Sequence, residues 1–514
     1  MTTPEATLDA DVLVVGSGAG GAATAATLAA AGRDVTVVEE GPWIDPDALE
    51  PFSLEEMAAK YRHRGLAAAL GNPAIAFAEG RCVGGSTEIN SGLYHRLPAA
   101  LAESWHHEYG IDEFSPETLD AYAQRIEDEL AVSRLPGAPP PSSALLERGA
   151  TKLGWQAVEY ARVFRYDAAG RGVKQTMTRT LLPRAVDAGA TVIPNCRVRR
   201  LLQRDGRVAG VRSQRTENGV AENLTIRAEH VFVCAGAIQT PALLQRSGIR
   251  AGIGSGLKVH PMIKIAARFP HPVDHGGVPM QVITEFGPNL SIGGSASRRG
   301  QVAMALADSS ADYGDALDDW ERVSVYYAAI RSEGRGRVIA VPGLRAPVVT
   351  YRLTEGDMSR LARGLVHLGE VLLASGATEL YPSVADGPVV RSHDELVAWW
   401  DAVTRNRTNL MTVHLTSSVR MGEDRSRTGA DSFGRVWGFE NLRVGDASLV
   451  PDAPGVNPQG TIMTIAARMG TYFSSIRAAG NHPEQLSPGG LPSCHDHDCL
   501  RRQAHTPVRS RRAL

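Results

Sequence analysis

The sequence predicts an α/β protein: a Rossmann-like dinucleotide-binding domain interleaved with an α+β part built on an antiparallel sheet with helices. Three observations predict it. Residues 11–21, DVLVVGSGAGG, run an apolar strand into a glycine turn, and an Ala-rich helical stretch follows at 22–31. A second apolar strand, DVTVVE at 34–39, stops at Glu39. Far downstream, residues 260–400 alternate strand-like runs with one long helical pattern.

The opening unit has a chemical reason for each part. Gly16 allows the tight turn, Gly18 lets the backbone approach a pyrophosphate, and Gly21 lets the helix pack closely on the strand. The helix N-terminus supplies N–H donors and a positive dipole for phosphates, so Ser17, Ala19 and Gly20 join the predicted cofactor set. Glu39 can accept hydrogen bonds from the adenosine ribose and disfavours a 2′-phosphate by charge; Glu40 is placed with it. A lone G-x-G-x-x-G is a weak signal, but one followed by a helix and an acid ending the next strand is strong. The motif leaves FAD and NAD both open.

At 514 residues the chain is too long for one ordinary core, so two linked domains are expected. Hydrophobic content of 43% and charge of 21% are those of a soluble globular protein. A net charge of −2 gives no reason to expect a nucleic-acid partner. No stretch approaches the roughly 20 apolar residues of a membrane span, and the acidic start MTTPEATLDAD is no signal peptide. Cys82, Cys196 and Cys234 sit beside apolar segments and read as small core residues. Without a disulfide framework the expected compartment is the cytoplasm. The segment CHDHDC at 494–499 has metal-ligand residue types but not the spacing of structural zinc sites, so no metal is expected and 479–514 reads as a disordered tail.

Along the chain, 41–75 is punctuated by Pro and Gly. EGRCVGGSTEINSG (79–92) is a second glycine-rich turn leading into a helix, 116–131 an amphipathic helix, and LPGAPPPSS (135–143) a linker or loop. Residues 191–236 form a small antiparallel excursion ending in a buried strand at 231–234, which turns at Ala235-Gly236 into the helical TPALLQRSG. VSVYYAAI, GRVIAVPG and PVVTYRL read as strands and 356–375 as a helix. Finally, 440–470 runs from a strand through a Gly-Asp turn and a Pro-rich loop into an apolar helix.

Four segments carry a resemblance to the glucose–methanol–choline (GMC) family of flavin oxidoreductases, over about residues 10–475. They are GSGAGG with Glu39; GRCVGGSTEINSG (80–92); CAGAIQTPALLQRSGI (234–249); and HLTSSVRMG (414–422) followed by GRVWGFENLRVGDASLVPDAPGVNPQGTIM (434–463). The resemblance implies FAD rather than NAD, with an FAD domain over 8–260 and 431–478 and a mainly substrate-binding domain over 261–430. It places Arg81, Gly84, Gly85 and Ser86 at the pyrophosphate and flavin, Asn90 and Ser91 at the flavin edge, and Val198 at adenine through its backbone. It adds Ala235, Gly236, Asp446, Ala447, Asn457, Pro458 and Gln459 to the cofactor set, with Asp446 at the ribityl or pyrophosphate region. The helix from Gln459 can aim its N-terminus where negative charge grows on the reduced flavin. Some members tether FAD through a histidine; Ile89 stands there in this chain, so the FAD is expected to be non-covalent.

The catalytic pair implied is of the His/Asn type. His414 stands where the family pattern H-x-x-G-T-x-R-M-G has its active-site histidine, and Asn457 where members carry a second His or an Asn. Alcohol oxidation needs loss of a hydroxyl proton, which His414 can take as base, and of a hydride to flavin N5. The neutral Asn457 amide can hold the substrate oxygen without competing as a base. The other histidines of 95–107 and His260 are expected to be structural, although His260-Pro261 resembles a family turn near the active site. The family's Gly-Thr pair after the histidine is Ser417-Ser418 here, which puts the wall beside His414 in question. The expected activity is oxidation of a small-molecule alcohol to aldehyde or ketone, with O2 or another acceptor taking the electrons, and GVNP leans towards sterols and long-chain or bulky alcohols. The alternatives are a flavin-containing lyase of the hydroxynitrile type, a light-driven decarboxylase, and a flavin-binding module without catalysis.

Overall fold

The apolar run at the start of the chain folds as the strand Glu5–Val15, which anchors a seven-stranded sheet. The computed structural model describes residues 5–273, 281–309 and 312–478. Val35–Val38 and the end of Val220–Val233 flank the first strand in parallel. Thr191–Ile193 and Leu442–Val444 extend the parallel layer on either side. Val12, Leu13 and Val14 have no exposed surface, as expected of parallel strands covered on both faces.

The register of this layer positions the site. Val38 pairs with Ile193 and with Val15, Val15 with Val233, and Val233 with Val444. The carboxyl ends of five strands therefore stop in one row. Ligands of open α/β sheets bind in the crevice outside such ends. The chain leaves the row at Gly16, Glu39, Pro194, Cys234 and Gly445.

The antiparallel excursion is larger than the sequence implies. Val220–Val233 is a single strand of 14 residues. Its residues 220–227 pair back on Arg207–Glu217, which pairs with Cys196–Arg204, and from Asn223 to Val233 it also pairs in parallel with the first strand.

A second sheet runs in the order Ala67–Ala69, Ile75–Phe77, Leu410–Thr412, Met262–Arg268, Val323–Ile330, Leu290–Gly294, Gln281–Ile283, Ala157–Glu159. Glu379–Pro382 also pairs with Met262–Arg268. The pairings are antiparallel except for Ile75–Phe77 with Leu410–Thr412. The helix Glu355–Ala374 matches its sequence prediction and opens on a capping box, Thr354 with Asp357. Leu361, Leu365, Leu368 and Leu372 recur at helical spacing, and all are fully buried in the core shared with this sheet. Each contributes about 1.5–3 kcal/mol.

Three local expectations need correction. No α-helix follows the second glycine turn, only a single 3-10 turn at Gly85–Thr87. Gly84 and Gly85 take φ of 89° and 56°, left-handed backbone that cannot open a right-handed helix. The loop at 135–143 ends early, because the helix Pro141–Leu153 starts inside it with proline in its first turn. The punctuated stretch 41–75 contains the helix Leu54–Lys60, capped by Ser53.

Cys82, Cys196 and Cys234 are buried free thiols, as expected. Among the described residues no helix is long and apolar enough to cross a membrane. Residues up to Tyr472 form one compact unit and those from Phe473 a second, of which 473–478 are described, as helix. The expected tail at 479–514, with Cys494 and Cys499, lies outside the described residues.

Candidate functional site

A cavity of about 980 Å³ lies along the row of strand ends, with Val15, Val38 and Cys234 in its wall. It gathers most of the sequence-predicted residues: Gly16, Ser17, Gly18, Ala19, Gly20, Glu39, Glu40, Gly85, Ser86, Asn90, Ser91, Val198, Ala235, Gly236, Asp446, Ala447, Asn457, Pro458, Gln459 and His414. Gly21, Arg81 and Gly84 are not on the wall. Gly21 stands behind it, where a Cβ would lie 1.9 Å from the Gly16 carbonyl oxygen, so only glycine lets the helix approach. Arg81 pairs with Glu40 at 3.2 Å. Gly84 N–H donates to Ser17 Oγ at 3.1 Å, tying the two glycine turns together.

The first turn forms a cradle. Gly16 has φ 105°, and a Cβ there would stand 2.3 Å from Cys234 O. In the helix Ala19–Ala30 the first intrahelical bond is Ala22 N to Gly18 O at 2.8 Å. The amides of Ala19, Gly20 and Gly21 precede it and have no protein acceptor among the described residues. A Cβ on Gly18 would meet only Gly85 Cα, at 3.9 Å, so this glycine holds space open rather than packing. Glu39 is buried at 7% exposure and accepts from Ser17 N (3.1 Å), Ser17 Oγ (2.7 Å) and Gly41 N (2.9 Å). Burial raises its carboxyl above the usual range against the pull of those donors. Asp446 accepts from Gly236 N, Thr240 Oγ1, Ser448 N and Ser448 Oγ. Its carboxylate ties the start of the helix Gly236–Arg246 to the turn Asp446–Ser448.

The second helix at the cavity, Gln459–Ala478, repeats the arrangement. Its first bond is Ile462 N to Pro458 O, so the amides of Gln459, Gly460 and Thr461 precede it. Asn90 Nδ2 donates to Gln459 Oε1 at 2.5 Å, and Gln459 Nε2 is a buried donor with no partner among the described residues. Two helix N-termini, a glycine cradle and a buried carboxylate make the donor set that a dinucleotide such as FAD requires. The residues present fit that group.

His414 lies between them, partly exposed, with its open edge on the cavity. The enclosing protein strips it of solvent and pushes its pKa down to about 4. Its Nδ1 is 3.0 Å from Nδ1 of His260. His260, expected to be structural, is a buried partner of the predicted catalytic residue, and its own pKa is pushed far down by burial and by His414. Gly455 N–H donates to His260 Nε2 at 3.1 Å, linking the pair to the loop that carries Asn457. That bond sets the protons. His260 accepts at Nε2, so when neutral it holds its proton on Nδ1 and donates it to His414 Nδ1. His414 then carries its own proton at Nε2. To take a proton at Nε2 it must first move that proton to Nδ1, which sets Gly455 N–H against a protonated His260 Nε2 and costs roughly 1–3 kcal/mol. The H-P dipeptide was the one sign of this in the sequence. His95 also stands nearby, its pKa lowered to about 3 by burial and then by His414.

The departure at Ser417-Ser418 leaves the wall intact. Ser417 takes φ 71°, the left-handed backbone that glycine favours. Ser417 N bonds to Ala447 O, and Ser418 Oγ to Ala237 O. Serine holds the shape of glycine at a cost of roughly 1–2 kcal/mol.

Comparison with known proteins gives the family. The GMC oxidoreductase models match the chain over 11–262 (N-terminal model) and 333–466 (C-terminal model). A GMC-type oxidoreductase of Sinorhizobium fredii with no characterised activity is 40% identical over 478 residues, covering 90% of this chain and 94% of its own. One from Mycobacterium tuberculosis is 34% identical, covering 89% and 74%. A long-chain-alcohol oxidase of Arabidopsis thaliana is 28% identical, covering 89% of this chain and 66% of its own. Pyridoxine 4-oxidase from Mesorbium loti has the same fold at a TM-score of 0.68 and 20% identity, covering 91% and 99%. Aspergillus oryzae formate oxidase does so at 0.73 and 16%, covering 93% and 100%. The chain belongs to the GMC oxidoreductase family.

Proposed function

We propose that this chain is an FAD-dependent oxidoreductase that converts an alcohol to an aldehyde or ketone, with FAD held non-covalently. When bound, FAD supplies the two-electron acceptor for a hydride. The observation that carries the reading is His414: one ring nitrogen is held by buried His260, the other, Nε2, has no partner among the described residues, and the residue lines the cavity that Asn457 also lines. His414 takes the hydroxyl proton at Nε2 in its Nδ1–H tautomer. Asn457 holds the substrate oxygen. The Gly18 cradle and Glu39 take the pyrophosphate and ribose. Ile89, in place of a tethering histidine, supports non-covalent binding. The division of labour proposed is FAD binding by 8–260 and 431–478 and substrate binding mainly by 261–430. The similarity to long-chain-alcohol oxidases supports a long or bulky alcohol.

The test is anaerobic mixing with alcohols. His414→Ala should bind FAD normally but reduce it about 10²–10⁴-fold more slowly, with partial recovery as pH rises and alkoxide forms. Asn457→Ala should lose less. Parent-like reduction in His414→Ala removes the base assignment. A parent flavin that no alcohol bleaches favours the lyase alternative.

A further inference from the structure

We infer that the alcohol taken by this site is amphipathic, with a second, neutral polar group beyond an apolar stretch, one that both accepts and donates hydrogen bonds: a hydroxyl or a carboxamide. The inference rests on the alcohol-oxidising reading above.

The strand Met262–Arg268 leads away from His260 along the cavity. Met262 and Lys264, two residues apart and so on one face, both line it. In register, Met262 sits beside Ala329 and Met411, whereas Lys264 sits beside Tyr327. Within one step along the strand the wall changes from apolar to polar. The helix Arg299–Ala307 brings Gln301, Met304 and, one residue past its end, Asp308 to the same cavity, at the spacing of one helix face. Lys264 lies four residues from His260, a span of at most about 14 Å.

Three polar groups here lack partners. The Lys264 ammonium has no acceptor, and the Asp308 carboxylate no donor, within hydrogen-bond or ion-pair distance among the described residues. Gln301 Nε2 donates to Phe52 O at 3.0 Å, but its Oε1 is buried and unpaired. Burial lowers the amine of Lys264 and raises the carboxyl of Asp308, each opposed by the other's charge. Gln301 Oε1 is buried without a partner, and the half-buried Lys264 and Asp308 stand unpaired on the same cavity wall, so the three groups together mark a place for a ligand. Their chemistry selects it. A methyl end satisfies none. A carboxylate answers Lys264 but faces Asp308, and an ammonium does the reverse. A hydroxyl or amide accepts from the amine, donates to the carboxylate or Gln301 Oε1, and leaves the Lys264–Asp308 charge balance intact.

The experiment is anaerobic stopped-flow flavin reduction by straight-chain primary alcohols of about eight to ten carbons, matched to that span. Their far ends carry methyl, hydroxyl, carboxamide, carboxylate or ammonium. The hydroxyl or carboxamide member should show an apparent Kd about tenfold or more below that of the methyl member, beyond the statistical advantage of a symmetrical diol. Lys264→Met and Gln301→Leu should each bring that ratio towards one. Tightest binding of the methyl, carboxylate or ammonium member overturns the inference, as does a ratio unmoved in both folded variants. Reduction by none of the series overturns the alcohol-oxidising reading, and this inference with it.

Discussion

Replacing Gly18 with alanine separates ligand binding from folding at the predicted cradle. Gly18 has φ −70°, which alanine adopts freely, and the added Cβ would meet no protein atom closer than Gly85 Cα at 3.9 Å. The apoprotein should therefore fold with unchanged thermal stability. The methyl group projects into the space between the two glycine turns, where a pyrophosphate must come close to the Ala19 and Gly20 amides. Displacing it breaks at least one charge-assisted hydrogen bond, about 1.5–3 kcal/mol. FAD should bind about 10- to 150-fold more weakly. Gly20→Ala is the contrast, because its Cβ would stand 2.0 Å from Gly445 O and 2.9 Å from Asp446 Cα. That variant should lose stability without any ligand. The assay is titration of each apoprotein with FAD by fluorescence quenching, alongside its thermal melt. A Gly18→Ala protein that binds FAD within about threefold of the parent refutes the cradle. One whose apoprotein melts as early as Gly20→Ala shows that the position serves packing.

Four further outcomes are expected. The rate of flavin reduction by saturating alcohol should have no inflection near the ordinary histidine range, because burial holds His414 at about 4 and the base is lost only as pH falls through that value; an acid limb centred near 6.5 contradicts it. The same depression makes His414 a source of acid lability: the unfolded chain binds this proton below about 6.5 and the folded chain only below about 4, so stability falls as pH drops across that window. Ser417→Gly should relieve left-handed strain of roughly 1–2 kcal/mol and lose only the bond from Ser417 Oγ to Thr416 Oγ1 at 3.0 Å, leaving a small net gain; a lowered melting temperature says that the hydroxyl outweighs the strain. Acid precipitation should release all the flavin into the supernatant, and yellow colour in the pellet disproves non-covalent binding.

How much of the site was legible depended on how local its physics is. The turn at Gly16–Gly21 is written within one βα unit, because close backbone approach demands glycine at Gly16, Gly20 and Gly21, and it is read directly. The helix Glu355–Ala374 is legible for the same reason: its helical period is written in neighbouring residues of the chain. The second glycine turn misleads, since Gly84 and Gly85 look like a helix opening and instead take left-handed backbone. Ser417 was visible as a departure, but its effect turns on one φ angle that composition does not encode. Lys264, Gln301 and Asp308 carried no signal at all. They come from a strand and a helix with no shared motif, and only the sheet brings them to one wall.

The His414–His260 pair shows where resemblance stops. A motif can place His414 beside a substrate, because the motif describes which residue stands where. It cannot say which ring nitrogen holds the proton. That is decided by His260, 154 residues away in the chain, and by the Gly455 N–H that loads its Nε2. The consequence is specific. At rest, His414 offers the substrate oxygen an N–H, which suits holding an alcohol or a developing alkoxide. Its base form lies roughly 1–3 kcal/mol higher, because Gly455 N–H and His260 Nε2–H then face each other without an acceptor. That cost is set against the 10²–10⁴-fold, about 3–5 kcal/mol, that a positioned base contributes. The loop carrying Gly455 also carries Asn457, so a movement of that loop that freed His260 would also reposition the amide proposed to hold the substrate oxygen. In the proposed mechanism, proton acceptance and substrate orientation are thus coupled through a single main-chain donor.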